Sequence, residues 1–413
     1  MKITLVNPPS PFLLSDKVFP PLGILYVAST IRRELPGVDI EVADFSGGAT
    51  PEIDGDIVCV TGTTPHYGFM KSIAREYADR FLIAGGGHAT ADPQSLVDVG
   101  YDAVVRGEGE PVIADVIKGR RTGIVTSRPV SDLDTVPFPD RSLIDIHSYG
   151  YDLNGTLATV MMLSRGCPFS CAFCSVHSRR YRLRSVGNAM KELHILLRDG
   201  WKSIMFFDDL FGLDRKWSDE FLDAISKENI KWRCFMRATL VDDYIMERMA
   251  EAGCAEIGVG VESGSNRILR AINKRTTVED NTRARQIAKK YGIRFKAFLI
   301  VGLPGETEET ALATRDWVIE NRPDAWSLAL FAPIPGSPIW EHPERYDYQI
   351  LSKDYDNMWW EGIMKNQVAL GRTSALSPDE ILALRERIRD DIVRAGLRDR
   401  NDQYDEKGGL YAS

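Results

Sequence analysis

The 413-residue sequence predicts an α/β protein: an N-terminal doubly wound, Rossmann-like parallel sheet, then a partial (β/α)6 TIM-type barrel, then a small helical C-terminal region. Three observations carry this. Short β-rich runs alternate with helix-length amphipathic segments through most of the chain; many of the runs end in glycine-rich turns; and the rhythm breaks once, between about 121 and 156, where Pro129, Pro137 and Pro139 are interleaved with Asp and Ser. With 44% hydrophobic and 27% charged residues the chain is too apolar for a disordered protein, and its length exceeds one ordinary core.

In the first part, Lys2 to Val6 reads as a strand, Leu22 to Leu35 as an amphipathic helix and Val38 to Val42 as a second strand. Asp56 to Thr61 is a buried-type strand and Gly68 to Asp79 a helix. Phe81 to Ala84 runs into Gly85-Gly86-Gly87-His88, and Tyr101 to Val105 runs into Gly107-Glu108-Gly109-Glu110. Strand, glycine turn, helix, strand describes a parallel sheet covered on both faces. After the break, strands at Thr156 to Leu163, Ser203 to Phe207, Trp232 to Arg237, Glu256 to Val261, Phe295 to Val301 and Trp326 to Phe331 are separated by helical segments. Six such repeats close only part of a barrel, since a complete one uses eight. The division is therefore 1–122, a linker at 123–155, the barrel at 156–338 and a C-terminal region at 339–413. Ser377-Pro378-Asp379-Glu380 starts a helix with a serine cap, a proline in the first turn and a glutamate three residues after the cap. The tail from about Asn401 reads as frayed. The aromatic stretch before that helix (Trp340, Tyr346, Tyr348, Tyr355, Trp359, Trp360) either roofs the barrel mouth or is a plain hydrophobic anchor.

A net charge of −8 provides no global field for a nucleic-acid backbone or an anionic membrane. No apolar run approaches the roughly 20 residues of a membrane-spanning helix. The opening apolar run stops at Pro8-Pro9 before a secretory core forms, and six cysteines are too few for a secreted disulfide scaffold, so a cytoplasmic location is expected.

Cys167, Cys171 and Cys174 fall within eight residues directly after the first barrel strand, where this architecture places chemistry. Three thiolates in one irregular loop suit a single soft metal centre. A cubane cluster held by three cysteines keeps one iron free for a ligand, whereas structural zinc takes four protein ligands and would have to recruit His177. Cys59, Cys234 and Cys254 are scattered and read as structural, with a place facing the barrel interior as the alternative for Cys234. At other strand ends stand Asp208 and Asp209, Arg237, Glu262 with Ser263, and Gly302. A carboxylate or hydroxyl at a barrel mouth costs desolvation unless it binds something, and ribose hydroxyls or an amine suit it; one aspartate also suits a helix cap, and Gly302 to Gly305 also suit a plain turn. The segment from His177 to Arg184 is densely basic and is either a carboxylate or phosphate grip or a solvated loop.

The Cys-x3-Cys-x2-Cys spacing with Phe173 before the third cysteine, followed by Phe206-Phe207-Asp208-Asp209, by Gly258-Val259-Gly260-Val261-Glu262-Ser263-Gly264 and by Gly302-Leu303-Pro304-Gly305-Glu306-Thr307, resembles the radical S-adenosylmethionine superfamily. The resemblance implies a 4Fe–4S cluster on Cys167, Cys171 and Cys174, chelated at its open iron by S-adenosylmethionine. Reductive cleavage of that molecule then gives a hydrogen-abstracting 5′-deoxyadenosyl radical. Phe173, Asp208, Asp209, Arg237, Glu262, Ser263 and Gly302 are the implied S-adenosylmethionine contacts.

Asn7-Pro8-Pro9, then Pro20-Pro21-Leu22-Gly23-Ile24-Leu25-Tyr26, Thr61-Gly62-Thr63-Thr64-Pro65 and Gly85-Gly86-Gly87-His88-Ala89-Thr90 resemble the cobalamin-binding domain of cobalamin-dependent radical S-adenosylmethionine enzymes. This implies cobalamin contacts at Thr61, Thr63, Thr64, Gly85, Gly86, Gly87, His88, Gly107 and Glu108. An open parallel sheet binds ligands beyond the carboxyl ends of its strands, where these loops fall, although a nucleotide or flavin fits the same edge. The Asp-x-His-x-x-Gly loop of the other cobalamin family is absent, its place reading Asp44-Phe45-Ser46-Gly47-Gly48, so no protein histidine is expected below the cobalt.

The resemblance implies an enzyme that methylates an unactivated carbon of a small molecule through methylcobalamin and the radical, with flavodoxin or ferredoxin as electron donor and no membrane or nucleic-acid partner. A cyclisation, rearrangement or oxidoreduction without methyl transfer is the alternative, and a non-catalytic sensor is a third class. An RNA methylthiotransferase would need three further cluster cysteines in the first domain, where only Cys59 is present.

Overall fold

The computed structural model describes residues 1–13, 15–175, 178–358 and 368–397. His177, Trp359, Trp360 and the C-terminal tail lie outside the described residues.

The first sheet has six parallel strands: Lys2–Asn7, Asp39–Asp44, Ile57–Thr61, Phe81–Gly85, Ala103–Arg106 and Gly123–Thr126. Their order in space is second, first, third, fourth, fifth, sixth. Side chains alternate across it, so that Leu5, Cys59 and Ile83 pack under the helices Leu22–Glu34 and Ile113–Gly119. Val58, Val60 and Leu82 face the helix Tyr67–Glu76 on the other side. The sheet is doubly wound, as its near-continuous apolar strands predict.

The linker expected from 123 does not begin there. Gly123–Thr126 pairs in parallel with Ala103–Arg106 and completes the first sheet. Its pattern was illegible because it is a short edge strand with exposed Ile124 and Thr126. At the other end of the linker, Tyr151–Leu153 forms an antiparallel hairpin with Thr156–Met161. The two-residue turn is Asn154-Gly155, both at positive φ, which is the dipeptide that a tight hairpin favours.

The barrel sheet contains that hairpin strand and six parallel strands: Thr156–Met161, Ser203–Phe206, Lys231–Met236, Cys254–Glu262, Arg294–Val301 and Ala325–Leu330, in sequential order. Outward residues such as Ile204, Trp232, Ile257 and Phe295 form one large core with the surrounding helices. The helix Pro378–Arg394, opened by the expected Ser377 and Glu380 capping box, buries Ile381, Leu384, Ile388 and Ile392 in that same core. The C-terminal region is thus split between the two larger units. Ile339 and Tyr348 pack behind the cysteine loop, while Tyr355 sits 5.0 Å from the rings of both Tyr67 and His88 in the first domain.

Candidate active site

The cysteine loop is bracketed by a small antiparallel ribbon, Ser164–Arg165 with Arg182–Leu183. It is pinned inside by Cys167 N donating to Ser178 O at 3.0 Å, by Ala172 N donating to Ile272 O at 2.8 Å and by Asn273 Nδ2 donating to Ser170 O at 2.7 Å. Phe173 is buried among Ile268, Ile300 and Leu303, which fixes the backbone between Cys171 and Cys174.

Cys167, Cys171 and Cys174 are free thiols that line one cavity of about 350 Å³ at the carboxyl ends of the barrel strands. Among the described residues no three His, Cys, Asp or Glu side chains gather closely enough to hold a single metal ion. Three cysteines in one loop suit a cubane, which binds each at a separate iron, whereas a structural zinc takes four protein ligands. Arg237, at the end of the third strand, is buried with Nη1 3.8 Å from Cys171 Sγ and its guanidinium 4.0 Å above the Phe169 ring. Its Nε and Nη2 have no hydrogen-bond partner among the described residues. Buried donors without partners are rare, and here they belong to a side chain that lines the cavity the three thiols share. These residues fit an anionic cluster and its carboxylate-bearing ligand. Burial pushes the Cys167 thiol up from its ordinary value, with Asp209 and Cys171 adding to the rise.

Asp208 and Asp209 line the cavity, but their main bonds run to the cysteine loop. Asp208 Oδ1 accepts from Leu163 N at 2.8 Å and Ser164 Oγ at 3.0 Å, and Asp209 Oδ2 accepts from Gly166 N at 3.1 Å. Burial pushes Asp208 up to about 7 against those hydrogen bonds, and its Oδ2 is left unpartnered. Glu262 also lines the cavity, at positive φ (61°) where the fourth strand shifts register, with Oε1 2.6 Å from Lys274 Nζ. Lys274 lies twelve residues along, off the strand ends, and no local signal marks it.

Ser263 and Gly302 do not line this cavity. Ser263 is fully buried with Oγ 3.3 Å from Thr314 Oγ1 and accepts from Ser265 N, so it secures the turn into the next helix. Gly302 N donates to Glu306 Oε2 at 2.5 Å, closing the Gly302 to Gly305 turn that a Pro-Gly pair makes by itself. The basic segment is not an open anion grip either. Arg182 pairs with Glu108, Arg184 with Glu192, and Arg179 and Arg180 are exposed.

A second cavity, of about 550 Å³, lies between the two domains. Thr61, Gly85, Gly86, Gly87, Gly107 and Glu108 line it as predicted, together with Cys59, which sequence reasoning left in the core. Gly23 and Gly85 both border open space where a Cβ would intrude on an occupant. Gly86 adopts φ 88° with a Cβ position only 2.6 Å from Thr61 Oγ1, so no other residue fits this turn. The cavity runs back between the sheet and the helices beginning at Leu22 and Ile113, past Ile24 and Ile113. An apolar slot with a glycine rim suits a large ligand with a flat tail.

Thr63, Thr64 and His88 do not line it. Thr63 Oγ1 lies 2.8 Å from His66 Nδ1 in a helix-capping box. His88 is fully buried, with Nδ1 3.3 Å from Thr64 Oγ1 and Nε2 3.0 Å from Ser95 Oγ, and burial lowers it to about 4. Among the described residues no histidine lines the larger cavity.

Cys174, Phe207 and Asp209 line both cavities and so form the wall between them. The two domains are further joined there by Glu108 and Glu110, which pair with Arg182 and Arg165 of the ribbon.

Comparison with known proteins gives a consistent result. Residues 161–318 match the radical SAM superfamily, and residues 15–117 match the B12 binding domain. An uncharacterized methyltransferase of Pyrococcus horikoshii is 33% identical over 385 residues, covering 83% of this chain and 83% of its own. The anaerobic magnesium-protoporphyrin IX monomethyl ester cyclase of Rubrivivax gelatinosus is 29% identical over 373 residues, covering 78% of this chain and 66% of its own. In fold, the chain is similar to the radical S-adenosylmethionine methyltransferase TsrM of Kitasatospora setae, solved with cobalamin and a 4Fe–4S cluster bound. The TM-score is 0.72 at 16% identity, over 100% of this chain and 91% of that one. Two family domains in this order, together with a relative 33% identical over 83% of both chains, make the chain a member of the cobalamin-dependent radical S-adenosylmethionine enzymes.

Proposed function

We propose that the chain is a C-methyltransferase that acts on an unactivated carbon of a small molecule. The observation that supports this reading is the wall of Cys174, Phe207 and Asp209, because it brings two cofactor-sized cavities to one boundary. Cys167, Cys171 and Cys174 would hold a 4Fe–4S cluster, and Arg237, Glu262 and Lys274 would hold S-adenosylmethionine beside it. Thr61, the Gly85 to Gly87 turn and Gly107 would hold cobalamin, whose flat tail fits the slot past Ile24. When bound, these groups supply one-electron reduction, a carbon-centred radical and a transferable methyl.

The chain's own residues do the positioning. Asp208 and Asp209 fix the cysteine loop to the second strand, so the loop cannot shift without breaking their bonds. The Glu262 carboxylate is held by Lys274 in an orientation that faces the cavity. The Glu108 and Glu110 pairs tie the two domains together at the rim of the larger cavity. Asp209 and Phe207, standing on both sides, set the distance across which a substrate carbon is presented.

Flavodoxin or ferredoxin is the fitting electron donor, and a cytoplasmic location suits six free cysteines, with no helix of the described residues long and apolar enough to cross a membrane. A cyclisation without methyl transfer is the second reading, favoured by the 29% identity to the Rubrivivax cyclase. Anaerobic incubation of the holoprotein with methyl-labelled S-adenosylmethionine, dithionite and cell extract tests the choice. Label in a new product supports methyl transfer, and 5′-deoxyadenosine without labelled product supports the cyclase-like reading.

A further inference from the structure

Barrel interiors are normally filled by side chains. Here one layer is not. Phe235 and Phe298 point inward from the third and fifth strands and are only half-buried, while their outward neighbours Cys234, Met236, Ala297 and Leu299 are buried. Their rings lie 5.8 Å apart, and Phe235 lies 6.1 Å from Phe207. Phe207 is 43% exposed, lines both cavities and meets Phe19 of the first domain at 5.1 Å. Four rings thus form one aromatic face from the domain boundary into the barrel.

The polar groups at the mouth end of this face are already committed within the protein, while the buried Arg233, with Nε and Nη2 unpartnered among the described residues, and Lys296 Nζ stand 5.1 and 5.0 Å from the Phe235 and Phe298 rings. Asp209 is bonded to Gly166, Glu262 to Lys274, and Glu108 and Glu110 to Arg182 and Arg165. The unpartnered atoms of Arg237 and Asp208 belong to the cysteine side of the smaller cavity. An exposed ring such as Phe207 gains free energy in proportion to the apolar surface it loses to a ligand.

Resting on the methyl-transfer reading, we propose that the substrate is an apolar molecule, hydrocarbon or aromatic where it reacts, and that Phe207 is the positioning residue against which its reacting carbon packs. Selection is by shape and apolar area on the Phe207 and Phe235 rings, both of which line the smaller cavity.

Two measurements on anaerobic holoprotein reconstituted with iron, sulfide and hydroxocobalamin test this. In equilibrium dialysis with Nile red as the apolar probe, the wild type retains one equivalent per chain. Phe207→Leu binds within about three-fold of it, and Phe207→Asp at least ten-fold more weakly. Phe207→Ser replaces Phe207→Asp should the latter fail to melt cooperatively. Equal binding by wild type and the polar variant, or an equal loss in Phe207→Leu, overturns the assignment. In the second, cell extract is split into chloroform-soluble and water-soluble fractions before incubation with methyl-labelled S-adenosylmethionine. Label in a chloroform-soluble product is expected, and label in a water-soluble product alone overturns the substrate class. Label in neither, with 5′-deoxyadenosine still formed, counts against methyl transfer, and the dye then decides Phe207 by itself.

Discussion

Arg182 Nη2 lies 2.6 Å from Glu108 Oε1 and Arg182 Nη1 lies 3.1 Å from Glu108 Oε2, so a two-point ion pair joins the cysteine-loop ribbon to the last glycine loop of the first domain. Arg165, at the other strand of that ribbon, reaches Glu110 at 2.7 Å. The element that carries the three thiols is therefore bolted to the rim of the larger cavity. Glu108→Gln keeps the side chain's size but removes its charge and one of the two oxygens that the buried Arg182 bonds. The expected cost is about 3 kcal/mol, read as a melting temperature lower by roughly 5 °C in scanning calorimetry. Corrinoid retention through gel filtration should fall with it.

Glu306 sets a pH dependence of stability. Burial pushes it up to about 8, with the hydrogen bonds from Gly302 and Leu303 opposing. A carboxyl with a raised value in the folded chain stabilises fully below its unfolded value near 4.3, and that contribution is lost as pH rises towards 8. In that window the folded state binds one proton more than the unfolded state, so stability falls by about 1.4 kcal/mol per pH unit from this group. Glu306→Gln, which still offers an acceptor to Gly302 N, should flatten that slope in urea titrations between pH 5 and 8. An unchanged slope would show that the group is ionised in the folded chain.

His88 separates a structural role from a cofactor role. Its two nitrogens meet Thr64 and Ser95, and its ring packs against Tyr67 and Tyr355. His88→Gln should lower the melting temperature by several degrees, consistent with one or two lost buried hydrogen bonds. Hydroxocobalamin affinity, followed by its visible spectrum, should stay within about three-fold of wild type.

Much of this was legible in the sequence because strand-length apolar runs and glycine turns are local signals. The doubly wound sheet, the six barrel strands, the cysteine loop and the glycine rim of the larger cavity all follow from them. What escaped depends on tertiary contacts. Nothing near Asp208 announces that its carboxylate is taken by backbone amides 44 and 45 residues away. Ser263 has the right position on its strand, yet the register shift at Gly260 and Glu262 turns it towards Thr314. Lys274 gains its role only through Glu262. The Asn154-Gly155 hairpin had a recognisable signature, hidden inside a stretch dominated by prolines and aspartates.

Arg237 is the group whose removal should most affect ligand capture without touching a thiol. Arg237→Met removes two unpartnered donors from a side chain that lines the smaller cavity. Affinity for S-adenosylmethionine in equilibrium dialysis of the reconstituted protein should fall at least ten-fold. Arg237→Lys should recover only part of it, since an ammonium lacks the planar fork.

The central claim is that three thiols and an adjoining inter-domain cavity hold two different metals side by side. Iron, sulfide, cobalt and zinc analysis of anaerobically purified protein, with Cys171→Ala as control, tests it most directly. The account predicts about four irons and four sulfides with one cobalt per wild-type chain, and loss of the iron but retention of cobalt in the variant. Zinc in place of iron, or a wild-type protein that takes up no cobalt when hydroxocobalamin is supplied, would contradict it.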